Sequence, residues 1–404
     1  MGSGRSRAAA PGGVCSGHRG GVNWASLSPD GTRLLTASED GTARLWRTSG
    51  HKCCAVFLGH ESYITHCHLE NDAAYTCSAD HTVRKWDVTT GGCTTVFRGH
   101  TSIVNKVLVT RSCLFSGSYD RTARCWSLDT GQPLLELRGH RNCVLALAHF
   151  SSQDLLSEAE ADNEQDKGFL VTGSTDCTVK LWLVPSGRCW RTLRGHTGAI
   201  LCLALDIPGK ALFTGSRDYT VRRWDLTAGE QTHVLQEHQG SVICLELANQ
   251  HLYSGSADQT VKCWTSDTGQ CVRTYKAHKH SVSAIRYQDG LLFTGSGDSC
   301  ARAFDTKSGV LRKVFRGHTF VINCLQIHNH ALYTVSHDGT LRVWDVRGLF
   351  EQDRGSKRPR KESRTSSLPR VCNNRVGSLR QEERVRAERQ EERERRERET
   401  LELV

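Results

Sequence analysis

One sequence pattern returns eight times along this chain and restricts its possible folds more than any other feature. The pattern is [S/T]-x-S-x-D-x5-[W/F], and its aspartates are 40, 40, 56, 42, 40, 40 and 40 residues apart. Between these landmarks lie short alternating segments such as VNKVLV, CLFSGS and TARCWSL, which are typical of β-strands. A period near 40 residues indicates a repeat architecture in which every unit is one small sheet. We therefore expect an all-β fold of eight four-stranded units.

A histidine precedes each aspartate, usually in a Gly-His pair, and an aromatic residue follows six positions after it. Histidine, serine and aspartate together suggest a catalytic triad, but an enzyme needs its nucleophile only once. Because these groups recur in every unit at one register, we interpret them as structural and assign no catalytic residue. The eight sets are His18, Asp40 and Trp46; His60, Asp80 and Trp86; His100, Asp120 and Trp126; His140, Asp176 and Trp182; His196, Asp218 and Trp224; His238, Asp258 and Trp264; His278, Asp298 and Phe304; and His318, Asp338 and Trp344.

Blocks such as SGSYD…CW, TGSTD…LW and TVSHD…VW resemble the WD-repeat family over about residues 14–346. The resemblance implies an eight-bladed β-propeller in which the histidine, a hydroxyl, the aspartate and the tryptophan of each blade form a hydrogen-bonded tetrad. Phe304 departs from this pattern because it has no N–H to donate to Thr294, and we expect its blade to be less rigid. The predicted hydroxyls lie four residues before each aspartate, with the serine two before it as the alternative: Thr36, Thr76, Ser116, Thr172, Thr214, Ser254, Thr294 and Thr334.

The chain divides into a propeller over residues 1–346 and a charged, Arg/Glu-rich tail over 347–404, which we predict to be partly helical or disordered. The last repeat lacks an outer strand, and GGVCSGH (12–18) near the N-terminus occupies the equivalent place. We predict that this segment closes the ring with a short strand. An acidic insertion at 151–168 is interpreted as a solvated loop, with a docking site as the alternative.

Composition excludes several classes of function. The formal charge of +10 divides into +5 on residues 346–404 and +5 on the rest, and no basic stretch of the body is interleaved with aromatics, so a nucleic-acid partner is not expected. Neither a signal peptide nor a membrane span is recognisable. The 18 cysteines are interpreted as reduced, packed residues without metal-ligand spacing, and no cofactor, metal or small-molecule substrate is expected. We expect a monomeric intracellular protein, cytoplasmic or nuclear, with a nuclear-localisation-like cluster at Lys357–Lys361.

The predicted function is a non-catalytic scaffold that binds a peptide or protein on the top face, where the turns carrying the histidines and aspartates emerge. A phosphopeptide reader needs several converging arginines, whereas these turns offer one arginine and one histidine beside mainly apolar groups. Aromatic anchors binding an apolar or mixed peptide are therefore favoured. The predicted contacts are Tyr63, Ile103, Tyr119, Leu145, Leu201, Arg217, Ile243 and His337.

A second hypothesis rests on the W-D-x-R sequence that ends the last repeat. Trp344, Asp345 and Arg347 resemble the motif by which substrate receptors dock on cullin-RING ubiquitin ligases. This reading makes the chain an adaptor subunit of such a ligase.

Overall fold

The computed structural model describes residues 13–111, 113–151, 168–206 and 210–351. The acidic insertion from residue 152 to 167, the tail beyond residue 351 and the Lys357–Lys361 cluster lie outside the described residues. Within them, no helix is long and apolar enough to cross a membrane.

The described chain forms 32 strands, which build eight four-stranded antiparallel sheets of the predicted propeller. We number the sheets as blades 1 to 8. Blades 1 to 4 contain β2 (Val22–Leu27), β3 (Arg33–Ser38), β4 (Ala43–Arg47) and β5 (Cys53–Phe57); β6 (Ile64–Leu69), β7 (Ala73–Ser78), β8 (Val83–Asp87) and β9 (Cys93–Phe97); β10 (Val104–Val109), β11 (Cys113–Ser118), β12 (Ala123–Ser127) and β13 (Pro133–Leu137); and β14 (Val144–Ser151), β15 (Gly168–Ser174), β16 (Val179–Leu183) and β17 (Cys189–Leu193). Blades 5 to 7 contain β18 (Ile200–Asp206), β19 (Ala211–Ser216), β20 (Val221–Asp225) and β21 (Glu230–Leu235); β22 (Val242–Ala248), β23 (His251–Ser256), β24 (Thr260–Thr265) and β25 (Cys271–Lys276); and β26 (Val282–Gln288), β27 (Leu291–Ser296), β28 (Cys300–Asp305) and β29 (Leu311–Arg316). Blade 8 contains β30 (Ile322–His328), β31 (Ala331–Ser336), β32 (Thr340–Asp345) and β1 (Val14–Ser16), and α1 (Arg347–Glu351) follows it.

The ring closes through the N-terminal strand, as predicted. β1 pairs with β32 through Val14 to Arg342, Cys15 to Leu341 and Ser16 to Thr340. This seal has three residues, whereas the outer strands of the other blades have five or six. The first strand of every blade packs against those of both neighbours, including β2 against β30, so these strands line a central channel.

The hydrophobic core lies between neighbouring blades and not inside any one of them. Phe57 and Leu35 of blade 1, for example, share a buried cluster with Ile64 and Trp86 of blade 2. Because a blade is covered on both faces, its second strand is buried along nearly its whole length, as Leu291–Ser296 is. Each large apolar side chain buried in this way contributes about 1.5–3 kcal/mol to folding.

Every turn between the second and third strands is fixed by its aspartate. In blade 3, Asp120 Oδ1 accepts the backbone N–H of Thr122 at 2.9 Å, which holds Arg121 in the left-handed region at φ 73°. Glycine occupies this strained position in two blades, at Gly41 and Gly339. The other six blades place a non-glycine residue there, at His81, Arg121, Cys177, Tyr219, Gln259 and Ser299.

The cysteines of the described residues are free thiols, but they are not uniformly packed. Cys67, Cys77 and Cys324 are buried, and burial raises the pKa of the Cys67 and Cys324 thiols. Cys53 and Cys93, which begin outer strands, are exposed, so the prediction that they are packed is wrong. The outer strand of a blade has solvent on one side, which the sequence pattern around these cysteines does not reveal.

Candidate functional site

The predicted tetrad is present in blade 3 as a linear chain of hydrogen bonds. Trp126 Nε1 donates to Ser116 Oγ at 2.8 Å, and Ser116 Oγ lies 2.7 Å from His100 Nε2. His100 Nδ1 lies 2.7 Å from Asp120 Oδ2. Because the indole N–H only donates, the hydroxyl donates onward to Nε2, and the imidazole donates from Nδ1 to the carboxylate. Each buried polar group is therefore satisfied, which stabilises one geometry of the blade.

Seven blades share this tetrad, and the hydroxyl comes from the residue four before the aspartate, as predicted. The serine two before the aspartate binds the backbone of the turns instead. In blade 3, Ser118 Oγ accepts the Asp120 N–H at 3.1 Å and donates to the Ser102 carbonyl at 3.2 Å. We call the eight sets together the tetrad belt. In the complete blades the donors to the hydroxyls are Trp46, Trp86, Trp126, Trp182, Trp224, Trp264 and Trp344.

Burial and hydrogen bonding shift the pKa values of several residues of the belt. Burial lowers the pKa of His18 and His318 below the ordinary 6.5, so both imidazoles are neutral. Burial alone raises the pKa of Asp40, but hydrogen bonds from Thr42 and the Arg19 N–H outweigh it and lower the pKa to about 2. His18 is thus a neutral imidazole hydrogen-bonded to the ionised Asp40 carboxylate.

Blade 7 replaces the missing tryptophan with a different donor. Phe304 packs against Tyr275 with ring centroids 5.2 Å apart, and the threonine that follows the aspartate by two in other blades is Cys300 here. Arg302, only 4 % exposed, turns into this site, and its Nη1 donates to Asp298 Oδ2 at 2.8 Å and also contacts His278 Nδ1.

The arginine adds a donor to the hydrogen-bond chain of blade 7. His278 Nδ1 lies 3.2 Å from Asp298 Oδ2, and His278 Nε2 lies 2.7 Å from Thr294 Oγ1, so the histidine links the carboxylate to the hydroxyl as in the other blades. The Arg302 guanidinium donates to the same carboxylate. The predicted lower rigidity of this blade remains a prediction, but its polar groups have partners.

The residues predicted to form the top-face contact lie at two different depths. Leu145, Leu201 and Ile243 lie in the wall of the central channel, below the turns. At the same register in other blades, Asn23, Asn105 and Asn323 donate to the backbone of the next blade at 2.9–3.0 Å. Residues at this position therefore connect neighbouring blades. Its apolar residues, Leu145, Leu201 and Ile243, are half-buried in the channel wall and do not lie on the outer rim.

At the level of the turns, three predicted residues form an apolar surface on blades 2 and 3, which we call the aromatic patch: Tyr63, Ile103 and Tyr119. Tyr63 is 39 % and Tyr119 40 % exposed, and the Tyr119 N–H donates to the Ile103 carbonyl at 2.9 Å. Partial burial, the Cys143 thiol and the Tyr63 phenol raise the pKa of Tyr119, which places the two tyrosines in one neighbourhood. The equivalent positions of blades 6 and 7 hold only serine, alanine and glycine.

The predicted Arg217 and His337 are both exposed in top-face turns, on blades 5 and 8. His337 lies against Phe320 with ring centroids 6.1 Å apart, and its Nδ1 is 3.6 Å from Glu39 Oε1. Phe320 is 59 % exposed and was missed by sequence reasoning. A signal existed, because other blades have glycine, serine, asparagine or histidine two residues after the tetrad histidine.

The proposed adaptor motif is only partly accessible. Trp344 is buried and donates to Thr334 Oγ1 at 3.0 Å as a tetrad member. Arg347 and Asp345 are exposed on the bottom face and bind each other, with Arg347 Nε 3.1 Å from both carboxylate oxygens. Hydrogen bonds from Arg347 lower the pKa of Asp345 to about 2. An adaptor would therefore meet an ion pair and not a free arginine.

The channel contains a cavity of about 560 Å³ lined by the first strands of the blades. Its wall includes Trp24, His66 and Lys106, none of which the sequence analysis singled out. Among the described residues, no group of three or more His, Cys, Asp or Glu side chains has an arrangement that could hold a metal ion.

Comparison with known proteins agrees with this geometry. The chain is 74 % identical over 200 residues to WD repeat-containing protein 86 of Homo sapiens, which is 50 % of this chain and 53 % of that protein. The chain thus spans about half the length of this curated relative. Over 36 residues it is 50 % identical to mitogen-activated protein kinase kinase kinase A of Dictyostelium discoideum, covering 9 % of this chain and 4 % of that protein.

Among solved structures, a computationally designed protein, Ika8, superposes with a TM-score of 0.73 and 26 % sequence identity, covering 82 % of this chain and 98 % of its own. The family model described as "WD domain, G-beta repeat" matches eight segments: 10–47, 51–87, 91–127, 131–182, 187–225, 229–265, 269–305 and 309–345. Propellers of this kind are typical protein-interaction scaffolds. With eight matched repeats folded as eight blades, the chain belongs to the WD-repeat family.

Proposed function

We propose that the top face binds a peptide segment of a protein partner through the aromatic patch. The observation that carries this proposal is the exposure of Tyr63 and Tyr119, at 39 % and 40 %, beside Ile103. Nothing in the fold requires large apolar side chains there, because blades 6 and 7 have serine, alanine or glycine at the same positions. Exposed tyrosines with an apolar body and a hydroxyl are typical anchors of binding surfaces.

The remaining predicted contacts extend this surface. Leu145, Leu201 and Ile243 offer apolar area inside the channel mouth, while Arg217 and His337 add polar contacts around it. Phe320 adds a further apolar contact beside His337. A mixed, mainly apolar peptide fits this set better than a phosphopeptide, which would need several arginines.

The test is a selection of random peptides on the immobilised protein, followed by fluorescence-polarisation measurement of their affinities. Tyr63→Ala and Tyr119→Ala should each weaken the selected peptides about tenfold or more, since a buried aromatic anchor contributes about 2 kcal/mol. Tyr219→Ala is the matched control, because Tyr219 is an exposed top-face tyrosine on blade 5. Lys52→Ala and Lys313→Ala, on outer strands or turns, should bind normally. Equal affinity for the patch and control variants would contradict the proposal.

A second proposal is that the chain serves as an adaptor of a cullin-RING ubiquitin ligase. It is supported by the exposure of Asp345 and Arg347 at the bottom face, although the two side chains bind each other. Arg347→Ala should abolish co-purification of the ligase adaptor while unfolding remains unchanged. If the intact protein fails to retain that adaptor, the W-D-x-R sequence is incidental.

A further inference from the structure

The channel cavity carries an unbalanced charge. The charged side chains that line it are Lys106, Glu246 and Arg286. Glu246 and Arg286 neutralise each other at 3.1 Å between Oε2 and Nη1. Lys106 has no hydrogen-bond or ion-pair partner among the described residues, so the cavity as a whole has one uncompensated positive charge.

Lys106 lines the channel cavity together with residues of blades 5, 6 and 7, such as Cys202, Cys244 and Arg286. Burial lowers the pKa of Lys106, and the groups that influence it further include the Cys202 thiol on blade 5 and Arg286 on blade 7, whereas Lys106 itself is on blade 3. One side chain thus faces groups from across the ring. Lys106 is half-buried in the channel wall, and a cation partly removed from water without a counter-charge is stabilised when an anion binds beside it.

A second unsatisfied group lines the same cavity. His66 is only 8 % exposed, its ring lies 4.5 Å from that of Trp24, and its Nδ1 is buried without a hydrogen-bond partner. Burial lowers the pKa of His66 well below its ordinary value, and the proximity of Lys106 lowers it further. His66 is therefore neutral and carries one N–H that can donate a hydrogen bond. The Lys106 ammonium and the His66 imidazole thus line the same cavity.

These two residues lie directly below the aromatic patch. Lys106 follows Ile103 by three residues along blade 3, and His66 follows Tyr63 by three along blade 2. Three residues of a strand span about 10 Å, which is the distance from the patch down to Lys106. A peptide bound at the patch therefore reaches Lys106 only if one of its turns or one of its ends enters the channel. A single uncompensated cation matches a single negative charge better than a dianion.

We propose that the channel cavity binds the carboxylate of an aspartate or glutamate side chain, presented by the peptide held at the aromatic patch, between Lys106 and His66. This inference rests on the proposed function and names its partner more closely: a peptide with apolar anchors and one acidic residue. The carboxylate accepts hydrogen bonds from the ammonium and from the imidazole N–H. The preference for an acid is set by the cavity, whereas the affinity for apolar residues is set by the patch.

The test uses the full chain and peptides from a random selection on the immobilised protein. We expect one acidic position in the selected peptides, and replacing that glutamate by glutamine should weaken binding to the native protein about tenfold. In Lys106→Met, which keeps the length of the stem, the glutamate and glutamine peptides should bind equally. Lys106→Arg should retain the preference, and Lys52→Met is the control for loss of a lysine elsewhere. Thermal unfolding verifies that each variant is folded.

The outcomes separate the two proposals. Tyr119-dependent peptides that show no acidic preference, or the same glutamate preference in Lys106→Met, overturn the carboxylate site and leave the proposed function standing. Selected peptides that do not depend on Tyr119 overturn both. A parallel titration with free propionate, which carries one carboxylate, and with inorganic phosphate is followed through the NMR signals of the His66 ring and shows whether a free small anion binds in the cavity. Saturable binding of propionate or phosphate that Lys106→Met removes, without any acidic peptide preference, would mean a small-anion site and would overturn the peptide assignment.

Discussion

The tetrad belt and the turns directly above it differ in what changes from blade to blade. Asp120 and Tyr119 are neighbours in the chain, yet Asp120 is tied to His100 at 2.7 Å, while Tyr119 is 40 % exposed. The residue at the aspartate position is identical in all eight blades, whereas the residue before it is Glu39, Ala79, Tyr119, Thr175, Arg217, Ala257, Gly297 or His337. The belt positions are thus repeated in every blade, whereas the turn positions directly above them differ from blade to blade, and it is there that we propose a partner binds.

The largest effect should come from opening the ring in which the belt is held. Deleting residues 1–17 removes β1 and leaves the edge of β32 unpaired. An unpaired edge strand promotes association with other chains, so the truncated protein should form oligomers in analytical ultracentrifugation and unfold at a lower temperature. A monomer of native stability would show that the three-residue seal is dispensable.

Blade 7 offers the next test, because its belt depends on a buried ion pair. Arg302→Leu should lower the free energy of unfolding by about 3 kcal/mol, since it removes the buried guanidinium that donates to the Asp298 carboxylate. The matched control is Arg84→Leu at the equivalent position of blade 2, which has no carboxylate partner among the described residues. Equal losses in urea unfolding for the two variants would contradict the substitute role of Arg302.

Removal of one ordinary belt member should have a smaller effect. His100→Ala strands the Ser116 hydroxyl and the Asp120 carboxylate, and we expect a loss of about 1–3 kcal/mol in urea unfolding. The peptides bound by the aromatic patch should retain their affinity for the folded fraction. Native stability of this variant would mean that the tetrad contributes little to the blade.

Stability should also fall with acid in two steps. His18 and His318 are neutral in the fold with pKa values below 6.5, so the unfolded chain binds more protons and stability declines as the pH falls below about 6.5. Asp40, with its pKa lowered to about 2 from an ordinary 3.8, adds a further decline below about pH 4. Urea unfolding from pH 8 to pH 3 measures both. Constant stability between pH 8 and pH 5 would contradict neutral, buried histidines.

The sequence alone predicted eight four-stranded units and the closing strand, because these follow from segments that recur at fixed spacing, and the resemblance to the WD-repeat family implied the tetrad hydroxyls. It did not predict that Arg302 completes blade 7, since this depends on the space left by Cys300 and Phe304 together. The place of Leu201 in the channel wall was missed because a β-bulge between Ile200 and Cys202 changes the direction of the strand locally. Lys106 and His66 could not be predicted as a site because each replaces the usual residue of an inner strand in one blade only. The sequence pattern does not show which charged groups of other blades lie near them.

The most direct test of the division between belt and turns is a side-by-side measurement on Tyr119→Ala and Asp120→Ala. We predict that Tyr119→Ala keeps its free energy of unfolding within about 0.5 kcal/mol of the native value and loses tenfold or more in peptide affinity. Asp120→Ala should lose about 1–3 kcal/mol of stability and keep its affinity while folded. If Tyr119→Ala unfolds as easily as Asp120→Ala, or binds peptide as tightly as the native protein, the division between structural and binding residues is wrong.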